Sequence, residues 1–236
     1  METYIKNKFG ESGVTEVNFY VGSDSLAVSD NHRMAYYYFA KNGVDNSHLI
    51  HIDSHADFAL ICEDCLNAFR ANPDVLKCPE NFINLNCVNS QQKAVSWGNW
   101  IPTLRDIYPK LITSAHVYLH KEVPIVKNAW SEAKFFTKSY EFNVIPPSST
   151  STTLYSFDID YYFNCIGDFC ELRIEEHRAL EHFQETLFLV KQAPDCLPFI
   201  ALSPTCCGGW ENTLPFTRII DEVFDTKITN IIESRI

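Results

Sequence analysis

Three residues spaced two apart, Asp53, His55 and Asp57, close the stretch Leu49-Ile-His-Ile-Asp53-Ser-His55-Ala-Asp57. Side chains alternate along an extended chain, so two carboxylates and an imidazole at this spacing can face one side. A second apolar run, Leu154-Tyr-Ser-Phe-Asp158-Ile-Asp160, ends the same way in two aspartates. Either run alone also reads as a strand finishing in a capping turn. Together they gather four carboxylates and an imidazole at the ends of buried strands, where like charges repel unless cations sit among them. Such a donor set, rich in oxygen and free of thiolate, suits manganese, iron or another fairly hard divalent ion.

The elements that must position these residues are short. Apolar, β-branched or aromatic runs at residues 15–21, 49–53, 116–120, 142–145, 154–158 and 199–202 predict buried strands. Helical patterns lie between them at 32–41, 80–86, 130–137, 171–191 and 215–224. This alternation predicts an α/β fold: three layers, α/β/α, around a mostly parallel central sheet. Ligands collect at the carboxyl ends of the strands in such sheets, which is where both acidic clusters fall. The segment 146–153, Pro-Pro-Ser-Ser-Thr-Ser-Thr-Thr, reads as a loop entering a strand, and residues 1–236 read as one domain.

The 236 residues carry 19 Lys and Arg against 30 Asp and Glu, a formal charge of −11. A field of that sign repels phosphate backbones and acidic membrane faces, so neither nucleic acid nor a membrane is an expected partner. No stretch has the roughly 20 apolar residues of a membrane span, and the first residues lack a secretory pattern, which together predict a cytoplasmic protein. Nine cysteines, odd in number and irregular in spacing, read as reduced thiols. Cys62-Glu-Asp-Cys65 with Cys78 and Cys87 has the thiols for a structural zinc, but free thiols are the preferred reading because the second pair is widely spaced.

Asp53-Ser-His55-Ala-Asp57 resembles the Asp-x-His-x-Asp signature of ureohydrolases, the arginase and agmatinase superfamily, and Ser156-Phe-Asp158-Ile-Asp160 resembles their Ser-Phe-Asp-x-Asp strand. With Ser29-Asp-Asn-His32-Arg, Ser96-Trp-Gly-Asn-Trp100-Ile and the segment 202–212, the pattern is most similar to bacterial peptide arginases, which convert arginine in ribosomally made precursor peptides to ornithine. The resemblance implies an arginase/deacetylase-like fold and two manganese ions (Mn2+) per chain. One would be held by His32, Asp53, Asp57 and Asp158, the other by Asp53, His55, Asp158 and Asp160. It further implies a metal-bridging hydroxide as nucleophile, Asp57 as proton carrier, Glu211 as partner of the guanidinium, and Trp210 beside it in the substrate site. The implied partner is an arginine-containing precursor peptide, with the oligomeric state left open. Hydrolysis of a free guanidine such as arginine or agmatine, a deacetylase-like amide hydrolysis, and a catalytically inactive metal-binding regulator are the alternatives. This chain has Ser-Asp-Asn-His where ureohydrolases usually carry Gly-Gly-Asp-His, and no counterpart of the loops that hold the charged ends of free arginine. A residue inside a peptide has neutral amides there and needs an open groove instead.

The other conspicuous residues read as structural. His51 and His120 are expected within strands or core, and His177 and His182 on a charged helix face. Trp97 and Trp100 are expected to fill the core, Tyr161 and Tyr162 to pack as aromatics, and Gly208-Gly209 to turn the backbone.

Overall fold

The computed structural model describes residues 1–120, 130–137, 151–166 and 169–236. In chain order the elements are β1 (Glu2–Ile5), β2 (Phe19–Gly22), β3 (Ala27–Ser29), α1 (Met34–Asn42), β4 (Ser47–Asp53), α2 (Glu63–Ala71), α3 (Pro79–Asn84), α4 (Trp100–Ile107) and β5 (Ile112–Leu119). They continue with β6 (Ala133–Thr137), β7 (Thr153–Asp158), β8 (Phe163–Ile166), β9 (Phe169–Leu172), α5 (Glu176–Gln192), β10 (Cys196–Ala201), α6 (Trp210–Phe224) and α7 (Ile228–Glu233).

Apolar content on both faces of the central strands dictates the layering. Every residue of β4 and of β7 is buried, which a strand achieves only when both sides of the sheet are covered. The sheet has eight strands in the order β1-β2-β3-β10-β7-β4-β5-β6. From β3 to β6 all pairs are parallel, while β1, β2 and β3 pair antiparallel. On one face α1 and α4 pack Tyr36, Phe39 and Trp100 into a core with Leu49 and Leu154; on the other, α5 and α6 pack Phe183, Leu187, Phe216 and Ile220 against Ile50 and Phe157. The three-layer α/β/α arrangement is therefore the observed one. Among the described residues no helix is long and apolar enough to cross a membrane.

Register brings the acidic strand ends together. Asp158 pairs with Ala201 of β10, Ala201 pairs with Ser29 of β3, and Ile52 of β4 pairs with Phe157. Asp53 and Asp158 end their strands at this level and His32 and Ser203 follow just past theirs, so the four meet at the carboxyl end of the sheet.

Several expectations need correction. Residues 130–137 do not form a helix: Ala133–Thr137 is strand β6, parallel to β5. Phe135 meets Phe58 while Phe136 stacks on Tyr118, so successive side chains leave on opposite faces with a period of two. Only the end of the 15–21 strand forms; Thr15 and Glu16 give their carbonyls to the Arg33 and Asn31 side chains instead of to a strand ladder. The pattern at 171–191 divides into β9 and α5. Cys165 and Cys170 are joined in a disulfide across the β8–β9 hairpin, so the thiols are not uniformly reduced. His182 leaves the charged face and meets the Tyr162 hydroxyl at 2.6 Å. The strand expected at 142–145 and most of the loop at 146–153 lie outside the described residues.

Candidate metal centre

Strand β4 stops at Asp53 because the next residues use side chains, not neighbouring strands, to satisfy the backbone. The His55 N–H donates to Asp53 Oδ1 at 2.6 Å, closing a tight Asx turn. The Ser54 N–H donates to Asp160 Oδ1 at 3.1 Å and the Ser54 hydroxyl donates to the Asp160 carbonyl at 2.8 Å. These bonds tie the end of β4 to the 3-10 turn Ile159–Tyr162 that follows β7. That turn starts on its own cap, with the Asp160 N–H donating to Asp158 Oδ1 at 3.0 Å.

Two His/Asp groups result, and they share Asp53. His32, His51 and Asp53 form one; Asp53, His55 and Asp160 form the other; in each, one ligand atom per residue lies within 4.8 Å of the rest. In the first group Asp53 Oδ2 lies 2.8 Å from His32 Nδ1, which also faces Asp57 Oδ2 at 3.2 Å and Asp158 Oδ2 at 3.3 Å. In the second, His55 Nδ1 lies 3.4 Å from Asp53 Oδ1 and 2.9 Å from Asp160 Oδ2. Asp53 therefore directs one oxygen to each group. Asp158 gives Oδ2 to the first and keeps Oδ1 for the Asp160 N–H.

The surroundings fix these side chains. His32 Nε2 lies 2.6 Å from the Ser156 hydroxyl, which aims Nδ1 at the carboxylates. The Trp100 indole N–H donates to Asp57 Oδ2 at 2.6 Å, and the Ser203 hydroxyl donates to Asp158 Oδ2 at 2.5 Å. Asp57 and Ser203 hold φ of 56° and 40°, left-handed conformations that cost a non-glycine residue free energy and concentrate at functional sites.

Burial opposes ionisation throughout. In His32 the bonds from Asp158 and Asp53 overcome it and hold the imidazole well above its usual pKa; in His55, Asp160 and Asp53 do the same and lift it to about 12. Asp53, buried between these two imidazoles, is held well below the usual carboxylate range. Burial and then the neighbouring carboxylates push Asp57, Asp158 and Asp160 up, and burial depresses His51 to about 3. Without cations, then, this cluster limits its negative charge by taking up protons.

A divalent ion fits it better. Both nitrogens of His51 are buried with no hydrogen-bond partner, a state that costs roughly 1–3 kcal/mol per group and calls for a missing neighbour. The donors converge as carboxylate oxygen and imidazole nitrogen, the chemistry of a hard to borderline cation. The buried His/Asp groups can hold a metal ion. Cation added to chelator-treated protein should accordingly raise the melting temperature by about 5–10 °C at a hundredfold excess over Kd, since mass action there contributes about 2.7 kcal/mol. A change below about 1 °C in a thermal scan would contradict metal binding.

No protein-family model matches the chain, and no curated protein matches its sequence. The chemistry of the centre therefore rests on its own residues.

Above the carboxylates lies an open cavity of about 180 Å³, lined among others by His32, His55, Asp158, Asp160, Ser203 and Trp97. Trp97, expected in the core, is half-buried with its ring edge-on to His55 at 4.9 Å. All six expected ligands come together. Trp210 and Glu211 do not join them: neither lines this cavity. Trp210 is buried against Phe9, its N–H on the Gly10 carbonyl at 3.1 Å, and Glu211 is exposed in the first turn of α6. The fully buried Tyr161 and Tyr162 pack as aromatics, and Gly208 and Gly209 turn the chain at positive φ, both as expected. The sequence reading missed His51, Ser156, Ser203 and the Trp100 contact. Only His51 carried a signal, an imidazole two residues before Asp53 on the same face of β4.

Proposed function

We propose that this protein is a metal-dependent hydrolase that cleaves the guanidino C–N bond of arginine residues in a ribosomally made precursor peptide. Peptidyl arginine and water give peptidyl ornithine and urea. The observation that carries the reading is the pair of His/Asp groups sharing Asp53 beneath an open cavity; the likeness of both acidic strands to ureohydrolase motifs supplies the substrate class.

In this reading His32, Asp53, Asp57 and Asp158 would hold one manganese ion, and Asp53, His55, Asp158 and Asp160 would hold the other. Bound ions supply Lewis acidity that brings the pKa of water toward neutrality. The protein's own part is orientation and proton handling. Ser156 and Ser203 fix the His32 ring and the Asp158 carboxylate, so neither has to reorganise during turnover. Trp100 occupies Asp57 Oδ2 and leaves Oδ1 unbonded, free to take a proton from the attacking water and return it to the departing amine. The open cavity suits a side chain presented by a peptide whose neutral backbone stays outside.

The deciding experiment is co-expression with an arginine-containing precursor peptide, followed by mass analysis. Each converted arginine loses about 42 Da, the mass of the cyanamide unit removed from the guanidine. Unchanged peptide together with urea release from free arginine would move the activity to the small guanidine. A smaller result concerns Glu211. Because it stands exposed outside the cavity, Glu211→Gln should keep metal content and hold turnover within about twofold, the effect of less than about 0.5 kcal/mol. A loss of about a hundredfold in steady-state rate would restore it as the guanidinium partner.

A further inference from the structure

A second group of ligand atoms lies away from the carboxylates. Cys62 is the residue that caps α2, Cys65 is one turn further on, and Cys87 approaches from the segment after α3. Cys65 Sγ is 2.9 Å from Cys62 Sγ and 2.9 Å from Cys87 Sγ, and all three sulfurs fall within 4.8 Å of one another. Cys62 is exposed, whereas Cys65 and Cys87 are buried.

The backbone holds these sulfurs in place. The Cys87 N–H donates to the Gln92 carbonyl at 2.8 Å and the Ala94 N–H to the Leu85 carbonyl at 3.1 Å, which folds 85–94 into a small loop. Asp64, in the first turn of α2, accepts the Asn89 N–H at 3.0 Å and its side-chain amide at 2.6 Å. The same helix end thus supplies two thiols and anchors the loop that brings the third.

A disulfide does not account for the arrangement. One sulfur forms one such bond, yet Cys65 has two equidistant neighbours. Uncharged, unbonded heavy atoms rest at about 3.5–4 Å, so two contacts of 2.9 Å at the one Cys65 sulfur, with all three sulfurs within 4.8 Å, point to a shared partner. A zinc ion at about 2.3 Å from each thiolate would be that partner, and it would widen the two Cys65 contacts by less than about 1 Å. Soft thiolates select zinc, where the oxygen-rich cluster selects harder ions.

We infer that Cys62, Cys65 and Cys87 bind one zinc ion as thiolates, with a solvent ligand on the exposed Cys62 side, and that this ion fixes the loop leading to Trp97. Cys78, the other candidate thiol, stands outside the group. The mechanical link is short: past Ala94, the Trp97 N–H donates to the Val14 carbonyl at 3.2 Å and the Gly98 carbonyl accepts from Ala59 at 2.8 Å, so the zinc loop runs directly into the wall of the cavity.

Metal analysis of protein purified without added metal, alongside the Asp53→Asn variant, separates the two centres. About one zinc per chain should persist when the carboxylate cluster is disrupted. Cys87→Ser should lose it, and Cys78→Ser should keep it. Should Cys87→Ser not fold, Cys62→Ser at an exposed position reads the same loss, and alkylation followed by mass analysis should find the three thiols protected until zinc is chelated. Zinc below about 0.1 per chain in both wild type and Asp53→Asn, or a Cys62–Cys65 disulfide in non-reducing peptide maps, would overturn the inference. Loss of zinc in Cys78→Ser would overturn the solvent ligand.

Discussion

Asp53→Asn should empty both halves of the carboxylate cluster and lower turnover by about 10³-fold or more, the equivalent of at least 4 kcal/mol of lost stabilisation. The substitution keeps the side chain's shape and leaves Oδ1 to accept the His55 N–H, so the Asx turn survives. What changes is the atom facing His32 Nδ1: an amide N–H₂ replaces the oxygen now at 2.8 Å, putting two donors face to face if His32 keeps a proton there. Each group also loses the negative charge that both share. Under the proposed reading, elemental analysis after dialysis should find manganese near zero, with an unchanged far-ultraviolet dichroism spectrum. Two tightly held ions in Asp53→Asn would show that Asp53 is not the shared ligand. Asp158→Ala is a less even perturbation, since Asp158 turns one oxygen to the His32 side and the other to the Asp160 N–H. It should remove metal too, but at the cost of loosening the turn that carries Asp160.

The contrast between those two aspartates marks where the sequence stops being informative. That β4 and β7 are buried strands ending in acid is local information, present in the apolar runs Leu49-Ile-His-Ile and Leu154-Tyr-Ser-Phe. Parallel pairing follows from the helices between them. Which oxygen serves which group depends on sheet register and on partners far along the chain. Ser156 reaches His32 across 124 residues, and Ser203 reaches Asp158 only because β10 lies between β3 and β7. A serine carries no periodic signal that distinguishes these roles from an ordinary polar position. Strand β6 was illegible for another reason. Trp130, Ala133 and Phe136 recur at a helical interval, yet the open edge of β5 offers the segment five pairing partners, and pairing overrides the weak pattern. Glu211 was named only through the resemblance, and α6 begins beside it with Trp210 and Thr213 buried and Glu211 exposed.

Asp57→Asn tests the proton-handling role rather than metal sharing, and the backbone decides which substitution is informative. At φ 56° an asparagine is tolerated far better than most residues, because its short polar side chain suits the left-handed region. Asp57→Ala would add backbone strain and remove the acceptor for the Trp100 N–H, so a loss of activity there could be structural. In Asp57→Asn the amide oxygen can still accept from Trp100, holding the side chain as it stands at 2.6 Å. The amide nitrogen then takes the place of Oδ1, the atom without a partner, and cannot receive a proton. Turnover should fall by about 10²–10⁴-fold, the usual worth of a positioned acid or base. The half of the centre built on His32 should bind its ion more weakly while the half built on His55 and Asp160 stays filled. The fall should appear in kcat with little change in KM, since Asp57 lies beneath the cavity and is not among the residues that line it. A variant that keeps wild-type kcat with both ions bound would assign the proton to another group.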